Sequence, residues 1–212
     1  MARRLVRRAG ETVTCEHRAH GWYPGRHDVL RWEGGRAPRC RMTGVWVRTR
    51  AELRGQRRRR AHRCWDHLLA APLWPKYDAN LGTLLRTCDA VGACLVVPRR
   101  PWIDEALSRG NTLRRPSCVH RVDRPLDWLA RQRAGGSTIV GVELADDAVR
   151  LGDLPAARRR TVMVLGNESD GIPYEALSML DSVVEIPMVG SGHSLNVAVA
   201  GSLVLYKLAG LL

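Results

Sequence analysis

The sequence predicts an α/β protein, a doubly wound parallel sheet with helices on both faces, preceded by a small basic extension. Three observations carry this. From about His67, short apolar runs alternate with stretches of helical composition, which implies parallel strands covered on both faces. Twice in the last third an apolar run stops at a polar, glycine-rich turn, and the second turn opens into a terminal apolar segment. The whole excess of positive charge lies in the first third: residues 1–65 hold 18 Arg, no Lys and 5 acidic residues, against 16 basic and 16 acidic residues in 66–212.

Taken in order, residues 1–63 read as a separate unit. Gly, Pro, Trp and Arg alternate through 21–25 and 31–35, a short strand is expected near 45–49, and 51–63 has the composition of an exposed basic helix with Arg57, Arg58, Arg59 and Arg60 as its densest charge. So small a unit has a thin core, and Trp22, Tyr23, Trp32 and Trp46 are read as that core rather than as base-stacking platforms. Cys15, His17, His20, His27, Cys40, His62, Cys64 and His67 are scattered through and just past it. No Cys-x-x-Cys or regular His spacing marks a zinc site there.

Residues 64–212 form the main domain. Strands are expected at 68–71, 94–97, 118–122, 138–142, 161–165 and 183–186. Helices are expected at 79–91, 103–109, 126–133, 173–180 and 194–212. Asn80 lies where a helix begins, and Asn is a favoured cap. Pro173 suits a first helical turn. Ser194 is the expected cap of the closing helix. That helix is apolar on nearly all sides, yet 197–212 spans only 16 residues and carries Lys207, Gly201 and Gly210. A membrane span needs about 20 apolar residues, so a buried helix is expected and no membrane partner.

A length of 212 residues suits one ordinary domain plus an appendage. The basic third beside a neutral domain suits a polyanion, most simply nucleic acid; a solvated arm without a partner is the bland alternative. Six Cys with no paired framework, and no apolar signal core at the start, predict a reduced, cytoplasmic setting.

Three segments carry the chemistry. In Asn80-Leu-Gly-Thr-Leu-Leu-Arg86, a polar amide at a helix start is followed by an Arg, whose fixed fork of donors suits phosphate; a capping Asn and a surface Arg is the plain structural reading. In Leu165-Gly-Asn-Glu-Ser-Asp-Gly-Ile-Pro173, two glycines bracket a tight turn after a buried strand, and Gly166 admits close approach to the backbone. Asn167 stands where a serine-hydrolase elbow needs Gly, so Ser169 is not read as a nucleophile. In Ile186-Pro-Met-Val-Gly-Ser-Gly-His-Ser-Leu-Asn196, the loop has two glycines but lacks the third glycine and the βαβ start of a dinucleotide fingerprint.

Together these segments closely resemble the RNA 2′-O-ribose methyltransferases of the SPOUT class, the SpoU/TrmH group. The resemblance covers about residues 67–212 and does not reach the basic extension. It implies a C-terminal trefoil knot, which packing rules alone would not suggest. It implies S-adenosylmethionine, held bent by backbone groups around Val142, Gly166, Ile186, Met188 and Leu195, with Glu143, Leu165 and Ser194 also in the pocket. It implies catalytic roles for Asn80, Arg86, Glu168, Ser194 and Asn196, with Arg86 on the target phosphate and helping to deprotonate the ribose hydroxyl. An Arg is a poor base unless a phosphate or carboxylate adjoins it. The implied reaction needs no metal. A homodimer through the terminal region is implied, with Arg86 reaching across. RNA contacts are expected from Arg57, Arg58, Arg59, Arg60 and Arg86, on tRNA or rRNA. The alternatives are an inactive RNA-binding protein of the same fold and a base-methylating relative. His193 has no assigned role.

Overall fold

The computed structural model describes residues 68–109 and 118–212, together with the backbone of four short N-terminal strands. The chain divides into two compact units, Met1–Ala61 and His62–Leu212. In the first, β1 (Arg3–Val6), β2 (Thr12–Cys15), β3 (Cys40–Met42) and β4 (Val45–Val47) form an antiparallel sheet in sequential order. The strand expected near 45–49 is there. The expected basic helix at 51–63, with Arg57, Arg58, Arg59 and Arg60, lies outside the described residues, as do the side chains of Cys15 and Cys40.

The second unit is built on seven parallel strands: β5 (Leu68–Pro72), β6 (Cys94–Pro98), β7 (Val119–Val122), β8 (Thr138–Val142), β9 (Val149–Arg150), β10 (Thr161–Leu165) and β11 (Ser182–Glu185). Their order in the sheet is β7-β6-β5-β10-β8-β11-β9. Among the described residues five α-helices accompany them: α1 (Ala79–Val91), α2 (Ile103–Ser108), α3 (Pro125–Ala134), α4 (Tyr174–Leu177) and α5 (Val197–Leu208). None of the described helices is long and apolar enough to cross a membrane.

The apolar runs are buried on both faces because successive side chains alternate across the sheet. Leu68, Ala70, Leu95, Val97, Val140, Met163 and Leu165 pack with Leu81, Leu84, Leu85, Ile103 and Leu205 of α1, α2 and α5. Leu69, Ala71, Val96, Ile139, Val162 and Val164 pack with Trp128 and Leu129 of α3 and Ala176 of α4. The central strand β10 is buried at all five positions.

The first three strands, β5 to β7, wind outward in one direction. The chain then starts again beyond β5, and β10 fills the gap between β5 and β8, with Leu165 level with Pro72 on one side and Val142 on the other. Where strand order reverses, the crevice at the carboxyl ends of the strands is open to a ligand.

Most expected elements appear within two residues of their places. The helix expected at 173–180 is a single turn, Tyr174–Leu177. The closing helix begins at Val197 rather than 194 and ends at Leu208. Strand β9 was not expected: Val149–Arg150 is two residues long, preceded closely by Asp146 and Asp147, and offers no apolar run to read. It forms only because β11 offers an edge, pairing Val184 with Val149 and Glu185 with Arg150.

Candidate functional site

At the switch point the ends of β8, β10 and β11 meet the three segments singled out from the sequence. They enclose a cavity of about 490 Å³. Val142, Leu165 and Val184, near the ends of neighbouring strands, supply part of an apolar wall, and Ile186, Met188 and Leu195 supply more. This volume and mixed lining suit a small organic ligand.

Gly166 begins the turn after β10. A Cβ there would lie 2.1 Å from the carbonyl carbon of Gly171, so the two backbone stretches touch with no room for a side chain. Gly171 has φ of +69°, a left-handed conformation that glycine adopts without strain. Between them Asn167 ties the loop. Its backbone exchanges hydrogen bonds with Gly171 at 2.9 and 3.1 Å. Its side-chain oxygen accepts from Ser169 N and Asp170 N at 2.8 and 2.7 Å. Glu143 braces the loop from the end of β8, accepting from Ile172 N through Oε2 at 3.1 Å. Although Glu143 borders the cavity, this carboxylate oxygen is spent on the loop backbone.

The loop presents Glu168 to a chain of amides. Glu168 Oε1 accepts from Asn80 Nδ2. Asn80 Oδ1 accepts from Asn196 Nδ2 at 2.9 Å. Asn196 Oδ1 accepts from Ala198 N at 2.9 Å and Val199 N at 3.3 Å, capping α5. Glu168 Oε2 also accepts from Lys76 N at 3.1 Å, and Lys76 Nζ donates to Ser169 Oγ at 2.6 Å. The polarity of this chain is dictated from both ends. A carboxylate only accepts and a helix start only donates, so each amide has one workable orientation. Asn80 is 7% exposed, so its two partners matter energetically.

Two sequence expectations about caps are corrected here. Ser194 does not cap the closing helix; Asn196 does, because the helix starts only at Val197 and the Asn196 amide reaches the free N–H groups. Asn80 does not cap α1; Asp78 precedes the helix without a side-chain cap bond, and Asn80 sits inside the first turn, pointing at Glu168 and Asn196.

Asn80, Glu168, Ser194 and Asn196 all border the cavity, as do Val142, Glu143, Leu165, Gly166, Ile186, Met188 and Leu195. Arg86 does not: it lies on the exposed side of α1, outside the cavity wall. His193 joins the wall. Sequence reasoning missed Lys76, Tyr77 and Asn167. Lys76 and Tyr77 follow β5 in the loop that leads to α1, and Tyr77 is 54% exposed at the cavity. The rule that strand-end loops line the site of a doubly wound sheet points to both. Gly82 of the first motif has a packing reason: a Cβ there would lie 1.9 Å from the Arg109 carbonyl oxygen, so α1 needs glycine to pass the end of α2.

Residues 73–206 match the model of the SpoU rRNA Methylase family. The chain belongs to that family. Among curated relatives, the tRNA (guanosine(18)-2′-O)-methyltransferase of Aquifex aeolicus is 31% identical over 137 residues, covering 62% of this chain and 64% of that protein. The 23S rRNA (uridine(2479)-2′-O)-methyltransferase of Streptomyces viridochromogenes is 32% identical over 145 residues, covering 63% of this chain and 49% of that one. Among solved structures, the SpoU methyltransferase AviRb of Streptomyces viridochromogenes, in complex with AdoMet, is 30% identical with a TM-score of 0.52, over 68% of this chain and 58% of that one. The chain thus spans about half to two thirds of the length of these relatives. The matched region of this SpoU family member is the α/β unit that carries the cavity; the basic extension lies outside it.

Proposed function

We propose that the chain is an S-adenosylmethionine-dependent methyltransferase that modifies a ribose 2′-hydroxyl of tRNA or rRNA. One observation carries the reading: segments from β5–α1, β10–α4 and β11–α5 converge on one cavity and are locked by the Glu168–Asn80–Asn196 chain of hydrogen bonds. The residues present fit the cofactor. The wall of Val142, Leu165, Ile186 and Leu195 suits a purine ring, and Gly166 and Gly171 border the cavity without a side chain to fill it. The activities named for the Aquifex and Streptomyces relatives support the class of reaction, and the AdoMet complex of AviRb supports the cofactor.

S-adenosylmethionine supplies an already activated methyl, so the protein's task is positioning and proton removal. In this reading Val142, Leu165, Gly166, Ile186, Met188 and Leu195 hold the cofactor. Glu143 acts through the loop it braces. Asn80, Glu168, Ser194 and Asn196 surround the hydroxyl. Asn196 has its carbonyl oxygen committed to the helix start and its amide N–H to Asn80, so it orients the network rather than taking a proton. Arg86 lies outside its own chain's cavity, and the reading gives it to the cavity of a second copy, where it meets the target phosphate. A homodimer is part of the proposal. Val199 on α5 and Val189 in the loop before it are exposed apolar side chains that a second copy would cover. The trefoil knot is proposed from family membership, as is a cytoplasmic setting. Arg57, Arg58, Arg59 and Arg60 are proposed to bind the RNA backbone, with residues 1–63 as the RNA-binding extension and 64–212 as the methyltransferase domain.

The test is methyl transfer from labelled S-adenosylmethionine to bulk tRNA and rRNA by the full chain. Label in alkali-resistant dinucleotides supports the proposal. Label in alkali-labile nucleotides indicates base methylation, and RNA binding without label indicates an inactive binder; either overturns it. Light scattering at micromolar concentration tests the dimer, and a monomer mass removes Arg86 from the cavity.

A further inference from the structure

A second constellation lies two strands away from the switch point. Cys94 opens β6, Cys118 immediately precedes β7, and His120 is the second residue of β7. The two strands are parallel neighbours, with Leu95 level with Val119 and Val96 level with His120, so Cys94 stands beside Cys118. Residues two apart on a strand share a face, which puts Cys118 and His120 on one side. Cys94 and Cys118 face the core beneath α3, with Trp128 as a neighbour in the same cluster. The two sulfurs and a ring nitrogen of His120 all lie within 4.8 Å of one another, and Cys118 Sγ is 3.1 Å from His120 Nε2.

We propose that Cys94, Cys118 and His120 form a binding site for a zinc ion, separate from the methyl-transfer cavity. The chemistry of the donors selects the metal: two thiolates and an imidazole are soft to borderline ligands, which favour zinc over magnesium or calcium. The geometry is near what is required. Ligands about 2.0 to 2.3 Å from a central ion stand roughly 3.5 to 4 Å apart at the corners of a tetrahedron, so movements of side chains alone close the site. Charge also fits. Binding releases one proton from each thiol to solvent, and two thiolates cancel the charge of the ion, so the buried Cys94 carries no net charge into the core. His120 borders a basin of about 600 Å³ rimmed by Arg99, Arg121, Arg124 and Arg131. None of the three ligands borders the methyl-transfer cavity.

The consequence is structural. Strand β7 is the outer edge of the sheet, and an ion shared by Cys94 on one side and Cys118 and His120 on the other pins that edge to β6. Sequence spacing hides the site: the two cysteines are far apart along the chain, and only the parallel register joins them.

The experiment uses the full chain, reduced, stripped with a chelator and titrated with zinc and with cobalt(II). The basic extension has its own Cys and His residues, so the readout is the difference between the native protein and Cys118→Ser or His120→Ala. Both positions are half-buried, and circular dichroism checks that each variant folds. The expected result is one equivalent of zinc more in the native protein than in either variant. It is accompanied by a thiolate-to-cobalt charge-transfer band that the variants lose, by a rise in Tm with zinc only in the native chain, and by weaker binding at lower pH. Equal zinc uptake in native and variant chains overturns the proposal. So does a count of two fewer free thiols in unreduced native protein that Cys118→Ser restores in part, since that result places a disulfide there instead. Methyl transfer by Cys118→Ser is expected to match the native chain once both are folded.

Discussion

At the scale of single residues, Asn80 is the hinge of the site. It spends its amide on Glu168 and its carbonyl on Asn196, and it is nearly excluded from water. Asn80→Ala leaves a carboxylate oxygen and an amide without their partner, a cost of about 1–3 kcal/mol. Asn196→Ala removes the same bond and a helix cap worth about 1 kcal/mol. The double variant should therefore be less damaging than the sum of the singles, with a coupling of about 0.5–3 kcal/mol in urea unfolding; strict additivity would mean that the bond contributes nothing. Arg86 is the opposite case, a conspicuous residue with no place in its own chain's cavity. Arg86→Ala is expected to lower kcat by roughly a hundredfold, as losing one transition-state donor does, while calorimetric affinity for S-adenosylmethionine stays unchanged. Residue types were legible in the sequence wherever a motif named them, as with Glu168 and Asn196. Partners were not: nothing along the chain says that Asn196 rather than Ser194 caps the helix, because both residues are good caps and only the path of the loop decides between them.

At the scale of elements, α1 is held at two levels. Its first turn offers Asn80 to the site, and Gly82 lets it pass within touching distance of the backbone after α2. Two effects oppose each other in Gly82→Ala. Alanine improves helix propensity by about 1 kcal/mol. A Cβ placed 1.9 Å from the Arg109 carbonyl oxygen demands a backbone shift, and overpacking of this kind costs about 1–3 kcal/mol. The shift should win, giving net destabilisation in a urea titration and a displaced Asn80, read as a lower rate of methyl transfer in the folded variant. A gain in stability would show that α1 moves freely. The sequence made α1, β5, β8 and β10 readable because each is a continuous apolar or periodic run. It did not make β9 readable, because two residues have no pattern and pair only with an edge supplied by β11. The Cys94, Cys118 and His120 cluster was hidden for the same reason: register between strands is not written locally.

At the scale of the molecule, charge and chemistry are divided between the two units. The α/β unit carries the cavity, and the excess of Arg lies in residues 1–65. Removing residues 1–63 is expected to weaken RNA binding and to flatten the plot of log affinity against log salt by about 1 for each phosphate no longer neutralised. Cofactor affinity should not change, and an unaltered salt slope would deny the extension its role. The fold class was legible because the alternation of runs persists through the second unit; the strand order was not, since nothing in β10 says that it inserts between β5 and β8. That insertion governs how the protein is made. As the chain leaves the ribosome, β5 has one flank bare until Thr161–Leu165 arrives about ninety residues later, so the centre of the sheet closes late and over a long loop. Nascent chains halted before residue 161 should expose a fully apolar strand edge and recruit chaperones, and those extended past Leu212 should let go.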